Sequence, residues 1–296
     1  MVKKILQWEG EIKKETKILN VDADKHLLTD QENITYEYNN LIWAADLKTL
    51  YRIVKVDKSF LKNQKLFEDT KEHIFKSRGG DSVFSLFLEV DEPLESFEKI
   101  SNGHLFYTPS RQGLGQTHRI DLQNLLENFE NLSKEEIYLW LDKFTKLNTY
   151  EISIPGLKDP GMVPPRKTGM TISILAEYDL FKKIEEAGWL DEFVFELEKD
   201  VITVISDSIF PMLKKKVVKQ FSFTPLSIEN RVGSSQGGIT GWAFEKDMPV
   251  VNRLQLSSTS VLTPFPSIYQ AGQWAYSPAG VPMSILTGKI AADKVI

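Results

Sequence analysis

Two runs of this chain gather their apolar residues in the manner of strands. Ser82-Val-Phe-Ser-Leu-Phe-Leu-Glu-Val90 and Met170 to Leu175 are rich in β-branched and aromatic residues, and both predict strands. Two other runs repeat at helical spacing. Ser133-Lys-Glu-Glu136 fits a capping box ahead of Ile137, Leu139-Trp-Leu141 and Phe144, which predicts an amphipathic helix. Gly188 to Leu197, continuing to Ile209, predicts a longer one whose Leu190, Phe193, Val194 and Leu197 share a face. Residues up to about Val54 carry short apolar runs, ending in Leu41-Ile-Trp-Ala-Ala, that read as strands. No internal repeat or low-complexity linker divides the chain.

Near the C-terminus the pattern changes within a few residues. Ile268 to Ala271 are short and apolar enough for a buried strand, Gly272 ends them, and Pro282 stands where a first helical position favours proline. A helix is expected from Met283 to Ala292, with Gly288, Ala291 and Ala292 spaced to pack closely on a sheet. Gly280 would let a ligand approach the backbone. No charged residue occurs between Arg253 and Lys289, yet Ser, Thr, Pro, Gly and Gln interrupt the interval. A membrane span needs about 20 mostly apolar residues, which excludes one here. Two readings of the interval stay open: a neutral surface covered by something else, and a buried strand and helix without a ligand.

Composition narrows the chemistry. The 296 residues, 42% of them hydrophobic, suffice for one or two domains with a sizeable core. The absence of cysteine excludes disulfides, thiolate catalysis and Cys-based zinc sites. A net charge of −5 with no broad basic face argues against nucleic acid as a partner. His26, His73, His104 and His118 show no metal-ligand spacing and read as surface or loop histidines; no metal is expected. His104, beside Leu105-Phe-Tyr107, and His118, after Gly113-Leu-Gly-Gln-Thr, are the two that would border a substrate tunnel if one passes there. Lys214-Lys-Lys216 reads as a solvated turn or, alternatively, a contact for anionic headgroups. The opening Met1 to Gly10 lacks the apolar core of a secretory signal, so a cytoplasmic location is expected, with peripheral membrane contact as an addition.

Several strings together resemble the phytoene desaturase family of FAD-dependent oxidoreductases, which includes carotenoid desaturases, carotenoid isomerases and retinol saturases. Tyr269-Gln-Ala-Gly-Gln-Trp274, Pro278-Ala-Gly-Val-Pro282 and Thr287-Gly-Lys-Ile-Ala-Ala292 are similar to the C-terminal flavin-binding signature. Leu41-Ile-Trp-Ala-Ala-Asp46 resembles the strand and turn that end the second flavin-domain segment. Asp159-Pro-Gly-Met-Val-Pro-Pro-Arg-Lys167 with Met170 to Leu175 resembles a loop and strand of the substrate domain. Thr224 to Gly233, followed by Gly237-Gly-Ile-Thr-Gly241, resembles the run returning to the flavin domain. Arg166 stands where relatives often have a small residue.

The resemblance implies a mixed α/β fold: a partial Rossmann-like FAD-binding domain from residues 1–54 and 236–296, with an inserted mixed-sheet and helical substrate domain, residues 55–235. Its opening fingerprint, a strand, a G-x-G-x-x-G turn and a helix, has no counterpart here. Gly10, Gly79, Gly80, Gly113 and Gly115 lack the spacing. The chain is therefore expected to be the C-terminal part of a longer enzyme, with Val2 to Leu6 and Lys17 to Val21 entering as strands and an N-terminal partner polypeptide completing the site. The resemblance places FAD against Gly272, Gln273, Trp274, Gly280, Val281, Pro282 and Met283, with the amides around Val281 and Met283 as donors. Gln273 replaces a residue that is often acidic, and Trp274 is either a flavin neighbour or core. The implied substrate is an apolar carotenoid, polyene or other isoprenoid, oxidised by hydride transfer to flavin, and catalysis would require the missing half. The alternatives are a truncated non-catalytic fragment and a module that binds hydrophobic ligands. The resemblance names no catalytic acid or base.

Overall fold

A computed structural model describes residues 1–57, 64–112 and 120–296. Gly113, Gly115 and His118 lie outside the described residues. The chain forms two compact units, one from Met1–Gly80 with Thr240–Ile296, the other from Asp81–Ile239. The strands are β1 (Ile18–Asp22), β2 (Leu27–Asp30), β3 (Thr35–Glu37), β4 (Leu41–Trp43), β5 (Val54–Lys55), β6 (Ser82–Val90), β7 (His104–Tyr107), β8 (Tyr150–Ser153), β9 (Thr168–Ala176), β10 (Val217–Phe223) and β11 (Ile268–Gln270). The helices are α1 (Val2–Gln7), α2 (Leu47–Ile53), α3 (Gln64–Lys76), α4 (Leu94–Glu98), α5 (Asp121–Asn128), α6 (Lys134–Leu147), α7 (Tyr178–Glu186), α8 (Leu190–Ser208), α9 (Leu213–Lys216), α10 (Pro225–Val232) and α11 (Val281–Val295).

The first unit is discontinuous in sequence and holds two small sheets. One has the order β3-β2-β1-β5, antiparallel except for the parallel β1–β5 pair. The other is a parallel pair, β4 with β11, in the register Leu41 with Ile268, Ile42 with Tyr269 and Trp43 with Gln270. Trp43, Leu41 and Ile268 belong to the unit's main core with Val21, Leu47, Leu50 and Phe265. The opposite face, bearing Ile42 and Tyr269, packs with Ala291 and Ile290 of α11. Parallel strands are ordinarily covered on both faces, and these are. Helix α3 belongs here too, because its Phe67 and Ile74 are buried in the same core. The expected boundaries after residues 54 and 235 thus differ from the observed divisions after residues 80 and 239.

One expected strand is a helix. Val2–Gln7 forms α1, with no residue buried. Val2, Ile5 and Leu6 fall on one arc at 100° per residue, a helical period, and Lys, Leu and Gln are good helix formers. No neighbouring strand supplies a ladder. Ile18–Asp22, by contrast, is a strand, as the run Lys17 to Val21 predicts.

The second unit is a five-stranded antiparallel sheet, order β10-β6-β9-β8-β7, with helices on one face. Strand β6 alternates buried and half-buried positions from end to end, so Phe84, Leu86, Leu88 and Val90 enter the core. Met170, Ile172 and Ile174 of β9 join them. The helical layer contributes Ile137, Leu141 and Phe144 of α6 and Phe193, Leu197, Val201 and Ile205 of α8. Each such side chain stabilises by about 1.5–3 kcal/mol on transfer from water. The capping box at Ser133 and Glu136 is present, but Leu139 is 72% exposed, on the face of α6 away from the core. Among the described residues no helix is long and apolar enough to cross a membrane.

Candidate functional site

In the first unit the site grows from the strand, loop and helix that run from β11 to α11. The Ala271 amide donates to Trp43 O at 2.9 Å, extending the parallel ladder by one rung. Gly272 then turns with φ +83°, a conformation that favours glycine, which directs its amide to Thr287 Oγ1 at 3.0 Å. The Thr287 hydroxyl is fully buried and donates to Met283 O at 2.9 Å, so one side chain ties the loop to α11.

Helix α11 begins without a side-chain cap. Gly280 occupies the cap position in extended backbone, and its carbonyl accepts the Ser284 amide at 2.9 Å. Pro282 has no amide hydrogen, and among the described residues no hydrogen bond takes the amides of Val281 and Met283. A Cβ added at Gly280 would meet only Pro282 Cδ, at 3.9 Å. The helix start is therefore open, with two backbone donors and the positive end of the helix dipole directed outward.

Not every expected cofactor contact fits. Trp274 is 3% exposed and crosses Trp242 edge to face, ring centroids 4.8 Å apart, while Trp242 Nε1 donates to Trp274 O at 2.9 Å. Its ring is covered by protein, which decides between the two sequence readings in favour of core. Gln273 is half-buried and already engaged with the protein. Its carbonyl lies so close to Gly241 that an added Cβ there would stand 2.1 Å away. Close packing is seen at Ala291 but not at Gly288, whose added Cβ would meet nothing within 4 Å. Gly272, Gly280, Val281, Pro282 and Met283 lie on the loop and helix start as expected. Thr287 and Gly241 are the residues that sequence reasoning left without a role. Their signals were a lone hydroxyl in an apolar helix and a glycine following Gly237-Gly238.

The second unit carries a different surface, the open face of its sheet. Registered neighbours place Phe221, Phe87, Thr171, Ser153 and His104 in one row, and Phe223, Ser85, Ser173, Glu151 and Phe106 in the next. The β10 and β6 end is aromatic: Phe87 stacks on Phe221 with centroids 4.8 Å apart and meets Phe223 edge to face at 5.5 Å. Together with Met162, Val163 and Pro155 these rings floor a groove of about 320 Å³. Its charged rim is internally paired. Glu89 is hydrogen-bonded by Lys167 and stands 3.7 Å from Lys219. The Lys167 bond holds the Glu89 carboxyl below its usual range and pushes Lys167 up. The β8 and β7 end is polar: Ser85 and Ser173 hydroxyls are 2.8 Å apart, and His104 Nε2 is 2.8 Å from Glu151 Oε1.

His104 lies on the edge strand in an exposed ion pair rather than in an enclosed tunnel. Arg166 is exposed in the loop before β9, with φ +66°. Lys214 pairs with Asp207 at 2.5 Å and Lys216 lies 3.7 Å from Glu92, as befits a solvated helix end. Among the described residues no cluster of side chains suited to a metal ion is found.

No family model matches the chain. Over about half its length it is similar to curated 4,4'-diapophytoene desaturases, the 4,4'-diaponeurosporene-forming enzymes. It is 28% identical over 145 residues to that of Staphylococcus haemolyticus (strain JCSC1435), a match covering 48% of this chain and 27% of the relative. It is 26% identical over 148 residues to that of Staphylococcus aureus (strain MRSA252), covering 49% and 28%. The match thus spans little more than a quarter of these relatives' length. Among solved structures, an oxidoreductase from Methanosarcina mazei is similar with a TM-score of 0.53 at 12% identity, over 99% of this chain and 52% of that one. Putrescine oxidase bound to putrescine is similar with a TM-score of 0.53 at 11% identity, over 95% and 48%. The structural likeness shows the mixed α/β fold of these oxidoreductases. The resemblance read from the sequence is borne out: the chain is phytoene desaturase-like.

Proposed function

We propose that this phytoene desaturase-like chain is the flavin-contacting and substrate-holding part of an FAD-dependent oxidoreductase acting on an apolar isoprenoid such as a carotenoid or other polyene. The observation that carries the reading is the uncapped start of α11, joined by Thr287 and Gly272 to a parallel strand pair. The desaturases to which the chain is similar support the substrate class.

The residues present fit a flavin at Gly272, Gly280, Val281, Pro282 and Met283, and not at the Trp274 ring. Bound FAD would supply the acceptor for an electron pair removed from a substrate C–H bond. The chain's own contribution is electrostatic. The Val281 and Met283 amides stand ready to donate to an oxygen that gains negative charge, and donors fixed in advance need no reorganisation when that charge develops. The helix dipole adds about 0.3–1 kcal/mol if exposed and up to about 2 if partly buried. In the second unit, Phe87, Phe221 and Met162 offer an apolar floor on which a polyene would displace water, at about 25 cal/mol per Å² of apolar surface covered.

The test is the visible absorbance of the purified chain after incubation with FAD, alone and together with the polypeptide encoded immediately upstream of Met1. Flavin retained with that polypeptide, followed by bleaching on anaerobic addition of a linear polyene, is the expected result. No retained flavin in either sample would leave a non-catalytic module, and turnover of polar amines instead of polyenes would sink the substrate class.

A further inference from the structure

The parallel pair β4–β11 is short on one side only. Beyond β11 the sheet is closed by Val261 and Leu262: Gln270 N donates to Val261 O at 2.9 Å, and Leu262 bridges Tyr269. Val261 also packs against Ala291 of α11. On the other side, Leu41 N donates to Ser267 O and Ala271 N to Trp43 O, so Leu41 and Trp43 spend their backbone groups on β11. The geometry of a parallel ladder then turns the amide and carbonyl of Ile42 outward. Among the described residues no hydrogen bond takes that outer edge. Two strands of three residues, covered on both faces, make an incomplete parallel sheet.

Helix α11 is incomplete in the same sense. Val281, Ile285, Gly288 and Ala292 fall within a 60° arc at 100° per residue. Val281 is 75% and Ile285 64% exposed, and the space above Gly288 is empty to 4 Å. The stripe is uncharged, with Lys289 and Asp293 paired to each other at its margin, 2.6 Å apart. A helix apolar on both its inner and outer sides is ordinarily a buried one.

We infer that the outer edge of β4 and the Val281–Ile285–Gly288–Ala292 stripe form a docking surface for a strand-and-helix segment outside this sequence, whose strand extends the β4–β11 sheet and whose helix lies on α11. The choice of occupant rests on the flavin reading. An unpaired strand edge calls for another strand, and a glycine with nothing above it admits a closely packed helix backbone. Coverage agrees: 99% of this chain matches only 52% of the Methanosarcina mazei oxidoreductase, so that fold contains about as much again. An uncharged stripe does not suit nucleic acid or an anionic lipid surface.

The experiment co-expresses the chain with the polypeptide encoded immediately upstream of Met1 and follows complex formation, amide hydrogen exchange and flavin absorbance together. A complex is expected in which exchange at Ile42 slows by about tenfold or more. Gly288→Leu should leave the free chain's thermal midpoint unchanged, since the new side chain meets open space, yet weaken the complex by about tenfold. Ile285→Glu should weaken it at least as much. Absence of a complex overturns the proposal, as does a complex in which Ile42 exchange and the Gly288→Leu affinity are unchanged. A dimer of this chain alone that Ile285→Glu dissolves overturns it in favour of a second copy. Protection at Ile42 without retained flavin would sink the flavin reading and keep the docking surface; retained flavin without that protection would do the reverse.

Discussion

Thr287 is the single side chain on which the arrangement of the candidate flavin loop depends most directly. Replacing it by valine keeps the volume and the β-branch but removes the acceptor of the Gly272 amide, now 3.0 Å from Thr287 Oγ1. The lost hydrogen bond is worth about 0.5–1.5 kcal/mol, and a buried amide left unsatisfied costs about 1–3 kcal/mol. Full exclusion of Thr287 from solvent puts the expected loss toward the upper end, about 2 kcal/mol. For a domain of this size that lowers the midpoint of thermal unfolding by roughly 4–8 °C. Thr287→Ser is the control: it keeps the hydroxyl and loses one methyl, at about 1 kcal/mol. Urea titration of both variants, read by fluorescence of Trp43, Trp242 and Trp274, reports on the first unit. The expected order of stability is wild type, Thr287→Ser, Thr287→Val. Equal losses for serine and valine, or a valine variant as stable as wild type, would refute the role of the hydroxyl.

Gly241→Ala should cost about 3 kcal/mol or more, because the new Cβ would stand 2.1 Å from Gln273 O at a φ of +79°; a variant that melts with the wild type would show that the close approach is not kept in solution. Phe87→Ala should leave the fold of the second unit intact, its ring lying on the open face, while weakening binding of a polyene probe by about 10–100-fold. Fluorescence quenching titrations read this, and unchanged affinity would remove the groove from the substrate site. Burial, followed by the charges of Asp142 and Glu196, raises the Asp200 carboxyl above its ordinary 3.8. A raised carboxyl stabilises the fold in its protonated form, so that contribution is full below about pH 3.8 and is lost as pH rises through the folded value. Asp200→Asn should therefore gain stability at pH 7 and lose that advantage below pH 3.8, and an equal gain at both would contradict the shift.

Where one period governed a segment, its form could be read from residue types alone. Ser82–Val90 is a strand from end to end, and Ser133 with Glu136 caps α6. Val2 to Leu6 misled because five residues permit either period, and a strand needs a partner that local sequence does not reveal. The first unit's boundary fell 26 residues later than expected because α3 has helical apolar spacing but no signal of which core it joins; only Phe67 and Ile74 in place decide that. The glycine-rich loop was legible as a loop, whereas the Trp274 ring was not legible as core: an indole beside a cofactor and one beneath Trp242 look alike in one dimension. The groove of the second unit escaped notice because its floor is built from β6 and β10, which are far apart in the chain. The continuous apolar character of Ser82–Val90 on both faces was its one linear trace.

The inserted second unit begins and ends at one place. Ile239 N donates to Asp81 O at 3.0 Å, and just outside it Gly80 N donates to Gly241 O at 2.6 Å. For the first unit to form while the insert is unstructured, a loop of all the residues from Asp81 to Ile239 must be closed, at a chain-entropy cost of roughly 4–5 kcal/mol. A prefolded insert removes most of that cost, because its own strands already bring the two ends together. The order of assembly is thereby biased: the insert folds on its own account, and the split unit condenses around its paired ends. Damage then propagates in one direction, since a lesion in the insert's core releases both units, while a lesion in the split unit leaves the insert standing.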